Sequence, residues 1–415
     1  KEIKVPYVMQ IKAVLTDKYM LILLIYSIIF TAGSTLKTQA LVYYSNYVLG
    51  TYNDGITQTL INVIGGVPMG IGIFAVWPLA KKFGKKNVSV AGFVLYALGS
   101  LICWLAPTNM VIVLAGQFIK NIGGLPCAYI FMSLFSDSFD HLEWKTGFRS
   151  DSLAVSIYST ISVVLIGVGL SVLNACLNAS GYIPPINAGT LEEAESILAA
   201  NGWLSQLPIG DYHAAIDGTF TVGIAQPEST INVIAFLFVG LEVLTGVISA
   251  ILLSLVGVEK TLERKQQVIR ARQRAAGEAS GEVWVEPEVL AEEDQRKSDA
   301  EAEEAYRKEL KERCEKKHLN YEAELAKHLE AVHKKEEKQA EKERLSKIKA
   351  EEKAKRAAEK QVQKLAKLTP EQKQKREARR LAQEKNDEAR WQAEKAKGEA
   401  YYEKMQKALA AAEAK

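Results

Sequence analysis

The sequence predicts an all-α, polytopic membrane protein in which a bundle of six transmembrane helices is followed by extended charged helices. Three observations carry this. Up to Gly257 the 415-residue chain consists of runs of Leu, Ile, Val, Phe, Ala and Gly with few charges. From Val258 onward roughly half of the residues are Lys, Arg, Glu or Asp. The loops between the apolar runs differ in sign, and the net charge of +3 sums two regimes and describes neither.

A hydrocarbon core about 30 Å thick takes about 20 apolar residues of helix. Six stretches qualify, near 20–49, 57–79, 87–106, 109–134, 150–176 and 230–256, which makes 1–257 the bundle. The first follows a polar start and continues beyond the length of a signal peptide, so it reads as a span. Gly33 in the first span and Gly123-Gly124-Leu125-Pro126 in the fourth are candidate kinks. Gly66 and Gly70, four apart in the second, would allow close helix contact.

Loops that stay in the cytoplasm retain Lys and Arg. Lys1, Lys4, Lys12 and Lys18 precede the first span, and Lys81, Lys82, Lys85 and Lys86 join the second and third. Lys145 and Arg149 join the fourth and fifth, and Lys260 and Arg264 follow the sixth. The 178–229 loop has no Lys or Arg but carries Glu192, Glu193, Glu195, Asp211, Asp217 and Glu228, so it should lie outside. The expectation is a multi-pass protein of the plasma membrane with both termini cytoplasmic. In the outer loop, Thr190-Leu191-Glu192-Glu193 is a capping box and Gly202 a stop, which predicts a short amphipathic helix.

Residues 258–287 read as a juxtamembrane linker and 288–415 as a charged helical tail, rich in Ala, Glu, Lys, Gln and Arg with opposite charges three or four apart. Thr369, Pro370 and Gln372 have the character of an N-cap, an N1 proline and an N3 glutamine, so the tail should break near 368–370. Leu325, Leu329 and Val332 form only a local stripe. Solvated helices are the reading and a coiled coil the alternative. Cys314, His318, His328 and His333 are too poorly spaced for a metal site, and no disulfide or cofactor is expected.

Ionisable residues at membrane depth are candidates for function. There are three: Lys37 in the first span, Lys120 in the fourth, and Glu242 in the sixth, whose role is open between a structural ion pair and a functional one. A second constellation, Asp137, Asp140, Glu143, Lys145 and Arg149, concentrates opposite charges where the fourth span leaves the membrane. Such a cluster can make ion pairs that open and close during alternating access. No Walker loop, His-Glu-x-x-His, serine elbow or zinc-finger spacing is present, so the chain does not read as an enzyme. The bases of the tail are matched by acids, which argues against nucleic acid as a partner.

Several segments resemble the C-terminal half of the glycoside-pentoside-hexuronide:cation symporters, the melibiose-permease-like branch of the major facilitator superfamily. Tyr43-Tyr44-Ser45-Asn46-Tyr47-Val48-Leu49-Gly50 is similar to the end of that family's seventh helix, and Lys81-Lys82-Phe83-Gly84-Lys85-Lys86 to its basic loop between helices eight and nine. The most specific match runs from Asp137 to Ser152 and is similar to the acidic, Glu-aromatic-Lys and Arg signature joining helices ten and eleven. Gly181-Tyr182-Ile183-Pro184 falls where the family has its Gly-Tyr motif after helix eleven.

The resemblance, which covers about residues 1–265, implies cation-coupled uptake, with Na⁺ or H⁺, of a sugar, glycoside or hexuronide. It puts Asp137, Asp140, Glu143 and Arg149 in a cytoplasmic gate, with Arg149 partnering Asp137 and Asp140. It also puts Lys37, Lys120, Tyr158, Ser159 and Ser162 beside the substrate cavity. The sequence departs from the melibiose-permease pattern at Ala128, where a pocket tryptophan is expected, and at Val163, where a lysine is, which puts melibiose-like recognition in question. The cation site and most sugar-orienting carboxylates belong to the six preceding helices. The chain is therefore expected to be the C-terminal part of a twelve-helix protein, or to work with a second chain. A membrane-anchored scaffold whose tail binds a cytoplasmic protein is the alternative, and lipid transport by a related fold a third reading.

Overall fold

Residues 5–51, 55–188, 190–201, 208–214, 220–281, 285, 287–317, 320–366 and 369–413 are described by a computed structural model. Lys1, Lys4, Gly202, Asp217, His318 and Leu368 lie outside the described residues. Contacts divide the chain into two units, Lys1–Arg270 with Ala396–Lys415, and Ala271–Lys395.

The first unit opens with a short helix, α1 (Tyr7–Thr16). Asp17 then caps α2 (Lys18–Tyr43), accepting from the amides of Tyr19 and Met20 at 3.0 and 3.2 Å. A π-helical turn, Tyr44–Val48, prolongs α2. The following spans are α3 (Gly55–Phe83), α4 (Lys85–Leu105), α5 (Met110–Thr146) and α6 (Asp151–Ser180). Five stretches of the described residues are long and apolar enough to cross a membrane, and α3 makes a sixth if its two arms, Gly55–Gly70 and Gly72–Phe83, count as one. Those arms meet at 47°. Pro68 withholds an intrahelical hydrogen bond just before the bend.

α5 runs twelve residues past the expected end of its span at 134, so the acidic signature lies on a helical extension and not in a loop. Pro126 is accommodated within this continuous helix, which Gly147 closes in the left-handed region at φ +82°. The loop after α6 holds α7 (Leu191–Ala200), capped by the Thr190 hydroxyl at 3.2 Å from the Glu193 amide. It also holds three short strands that were not anticipated. β1 (Ile186–Ala188), β2 (Pro208–Ala214) and β3 (Phe220–Ile224) pair antiparallel in the order β1-β3-β2. Strands this short leave little alternating pattern to read. The last span is α8 (Glu228–Ala235), a π turn (Phe236–Gly240) and α9 (Leu241–Leu255), end to end.

α4 packs on α5 and α9, α3 on α5, and α2 on α6 and α9. Glycine makes the α4–α5 seam. A Cβ on Gly92 would meet the Gly123 carbonyl oxygen and one on Gly123 the Gly92 oxygen; seven residues along, Gly99 and Gly116 face each other's carbonyls in the same way. Backbones this close are the small-residue packing of membrane helices. Gly123 is thus a packing residue. Gly66 and Gly70 have nothing within 4 Å, while Gly65 and Gly72 face Asn121 and Leu125 of α5. The sequence pair was therefore the wrong one, since Gly65 and Gly72, seven apart, share the face that α3 turns to α5.

The segment 258–287 is more helical than a linker: a 3₁₀ turn (Val258–Thr261) leads into α10 (Leu262–Ser280). α11 (Pro287–Lys317), α12 (Tyr321–Ala366) and α13 (Pro370–Glu413) are the remaining helices of the described residues. Thr369 and Gln372 cap the start of α13 reciprocally at 3.3 and 3.4 Å. In the second unit, α11 and α12 touch where the rings of Tyr306 and His328 stack at 4.0 Å. Leu310 and Cys314 are buried, but most of the described residues of these helices are exposed, and no sustained seam supports a coiled coil.

Candidate functional site

Four helices bring one polar cluster together inside the bundle. Lys120 of α5 lies 2.7 Å from Glu242 Oε1 of α9, and Lys37 of α2 lies 3.4 Å from the same oxygen. Gln117, one turn before Lys120, accepts from Lys37 and Lys120 at 3.0 and 3.1 Å and donates to Glu242 Oε2 at 3.3 Å. The Tyr96 hydroxyl of α4 donates to Glu242 Oε1 at 3.3 Å. Glu242 is 1 % and Lys120 4 % exposed, whereas the Lys37 side chain is 19 % exposed.

Local structure delivers each group. The glycine seam draws the α5 backbone onto α4, with the Lys120 amide directly against Gly99. The π turn ends two residues before Glu242 and adds one residue to the turn, which rotates the side chains of α9 relative to α8. Phe238 of that turn stacks on Tyr44 at 4.2 Å and underlies the Lys37 ammonium at 5.2 Å.

The cluster forms one wall of a cavity of about 440 Å³ between the spans. Tyr158, Phe131, Tyr26, Thr31, Ser34 and Asn121 contribute to the remaining lining, which mixes aromatic faces with hydroxyl and amide groups. Two ammoniums face one carboxylate, and Glu242 is the only acid among the described lining residues, so the wall carries a formal charge of +1. Such a site can orient a polar, anionic solute while its aromatic walls exclude water.

Of the candidates from sequence, Lys37, Lys120, Tyr158 and Glu242 meet at this cavity. Ser159 and Ser162 do not line it. Ser159 is exposed, one residue and therefore about 100° around the helix from Tyr158, and the Ser162 hydroxyl donates to the Tyr158 carbonyl at 2.9 Å. Ala128 lines the cavity, and Val163, 70 % exposed, does not. Gln117 and Tyr96 were missed. The signal for Gln117 was its i, i+3 spacing from an intramembrane lysine.

At the end of the bundle that carries the basic loops, the structure holds one of the two pairings expected of Arg149, that with Asp140, and not the other. Both oxygens of Asp137 accept from Lys85 Nζ, at 2.7 and 2.8 Å, and Arg149 is not their partner. Lys85 starts α4 beside the α5 face that Asp137 occupies, whereas Arg149 lies beyond Gly147. Arg149 reaches Asp140 at 3.3 Å, and also Asp151 at 2.6 Å and Glu143 at 3.4 Å. Asp140 also accepts from Gln266 at 2.7 Å, and Glu259 caps α4 through the Lys85 and Lys86 amides. Lys145 pairs with Asp17 at 3.1 Å, where His141 Nε2 also approaches to 3.3 Å. Burial pushes the Asp17 carboxyl up, but the hydrogen bond and charge of His141, the charge of Lys145 and the Met20 amide together hold it well below the usual carboxylate range. Asp17, absent from the sequence candidates, is the anion that ties α5 to the start of α2.

Fold and site together define a polytopic helical membrane protein with a charged cavity between its spans. The MFS/sugar transport protein family model, that of a family of transporters and not of enzymes, matches residues 1–205 of the chain. The chain is 26 % identical over 205 residues to an uncharacterized symporter, YjmB, of Bacillus subtilis, covering 48 % of this chain and 42 % of that protein. It is 28 % identical over 177 residues to a putative sulfoquinovose importer of Escherichia coli, covering 42 % of this chain and 37 % of that protein. The isoprimeverose transporter of Lactiplantibacillus pentosus is 25 % identical over 181 residues, covering 43 % and 37 % respectively. The chain thus spans about two fifths of the length of these relatives.

Proposed function

We propose that this chain is the C-terminal half of a secondary active transporter that takes up a sugar, glycoside or hexuronide together with Na⁺ or H⁺ by alternating access. In this reading the bundle lies in the plasma membrane with both ends in the cytoplasm, following loop charge. A preceding six-helix half supplies most of the cation site and the surface against which this half rocks. The ion pairs at the basic-loop end make up the cytoplasmic gate.

The observation that carries the proposal is the cavity wall of Lys37, Lys120 and Glu242, an expensive arrangement at membrane depth that a solute passing between the halves would use. Its surplus positive charge favours a sugar with one acidic group over a neutral one. A relative named for sulfoquinovose, a sugar with a sulfonate, agrees with that preference, while one named for isoprimeverose keeps neutral glycosides in the reading.

The test is the whole protein, with its preceding helices, in liposomes. Sugar-stimulated entry of Na⁺ or H⁺ is expected, with acidic sugars the better substrates. Absence of coupling across a panel of neutral glycosides, uronides and sulfonated sugars would refute the proposal.

A further inference from the structure

The end of the tail packs on the membrane unit. Residues 396–413 of α13 belong to that unit, and their inward positions recur at helical spacing: Gly398, Tyr401 and Tyr402, Met405 and Gln406, and Leu409, with exposed residues between. Each meets the last turn of α5 or the core beside it. The Trp144 ring lies against Gly398, where a Cβ would overlap three ring carbons. Glycine inside a helix is disfavoured relative to alanine, and the approach of this ring is what it makes room for.

The Lys145 ammonium lies 4.8 Å from the centroid of the Tyr401 ring. Gln406 Nε2 donates to the Thr146 carbonyl at 3.1 Å, and Tyr402 and Gln406 occupy the space that a side chain on Gly147 would need. Leu409, 4 % exposed, joins Phe148, Ala13 and Val14 in one buried cluster.

These contacts fall on residues 144–148, between the acids of α5 and Arg149. Lys145 belongs to both systems, since it pairs with Asp17 at 3.1 Å and carries Tyr401 on its other contact. Covering an ion pair removes water from it and strengthens it. We infer that residues 396–413 are a latch on the α5–α6 turn: docked, they hold the Lys145–Asp17 tie and the Gly147 turn in place, and undocked, they leave the turn free to move. The docking is independent of the transport reading; its consequence, that the docked helix restrains the gate, rests on that reading. The occupant is a segment of the chain itself, residues 396–413, which belong to the same unit as the spans.

Amide hydrogen exchange on the full chain in liposomes tests the latch, with Gly398→Leu and Leu409→Asp disturbing separate parts of the contact and truncation after Lys395 removing it. In all three, exchange across 141–150 is expected to rise at least about tenfold while the amides of 20–40 keep their protection. Residues 396–413 should show the same rise in the two substituted forms. The latch is overturned if 396–413 is already unprotected in the wild type, or if its release leaves 141–150 unchanged. Cross-links from 396–413 to 141–150 of a differently tagged copy would overturn docking within one chain. In the whole transporter, undocking should raise the initial uptake rate at least about threefold, and an unchanged rate overturns the restraint. Failure of wild type and variants alike to take up any sugar would count against the transport reading alone, because the exchange result stands without it.

Discussion

Glu242→Gln removes the carboxylate that faces Lys37 and Lys120 while keeping its size. At an effective dielectric of about 20, a charge pair at the 2.7 Å separating Lys120 from Glu242 attracts by about 6 kcal/mol, and at the 3.4 Å of Lys37 by about 5 kcal/mol. Desolvation offsets much of this in the intact protein, but removing one partner leaves the ammoniums buried and uncompensated, at a cost of about 3–5 kcal/mol. Unfolding of the detergent-purified chain measures it. The cycle Glu242→Gln, Lys120→Met and the double variant should return a coupling of at least about 2 kcal/mol, with the double variant more stable than Glu242→Gln alone. The corresponding cycle with Lys37→Met should give less, because that side chain is partly open to the cavity. A Glu242→Gln variant within about 1 kcal/mol of wild type, or additive effects in the Lys120 cycle, would refute the compensation reasoning.

Gly123→Ala should destabilise by about 1–3 kcal/mol, since its Cβ would meet the backbone of Gly92, Leu95 and Tyr96, whereas Gly66→Ala, with open space around it, should stay within about 1 kcal/mol of wild type; thermal unfolding of the pair checks this. Asp17→Asn should destabilise the bundle, and the sign with pH comes from its lowered carboxyl. The contribution of Asp17 is fully present above the ordinary value of 3.8 and is lost only as pH falls toward the lower folded value, so the gap between wild type and variant should persist from neutral pH to about 4 and close only below it. Arg149→Ala should cost less than about 1 kcal/mol, because the side chain is 49 % exposed. It should also leave the Lys85–Asp137 pair intact, which a Lys85→Met comparison in the same unfolding assay checks.

Much of the architecture was legible because a bilayer imposes it locally. Span length, the basic and acidic loops, the Thr190 cap and the Thr369–Gln372 cap each depend on residues a few positions apart. The run from Asp137 to Ser152 carried the resemblance to the symporters for the same reason, because it is contiguous. Pairings between distant segments were not legible. Asp137 had several bases within reach of any plausible turn, and only the packing of α4 on α5 brings Lys85 to it in place of Arg149. Ser159 looked equivalent to Tyr158 until the rotation of α6 turned it away.

The sequence by itself determined which segments are long and apolar enough to cross a membrane, which loops carry like charge, where helices are capped, and that three ionisable residues within apolar spans require an account. Only the tertiary structure decided that those three share one cavity wall, that glycines seven apart form the α4–α5 seam, and that the last turns of a charged tail close over the end of α5. The division has a physical cause. Hydropathy, charge and capping act over a turn or two of helix, whereas ion pairing and close packing depend on the rotation and depth of whole helices, which are set by the sum of their contacts.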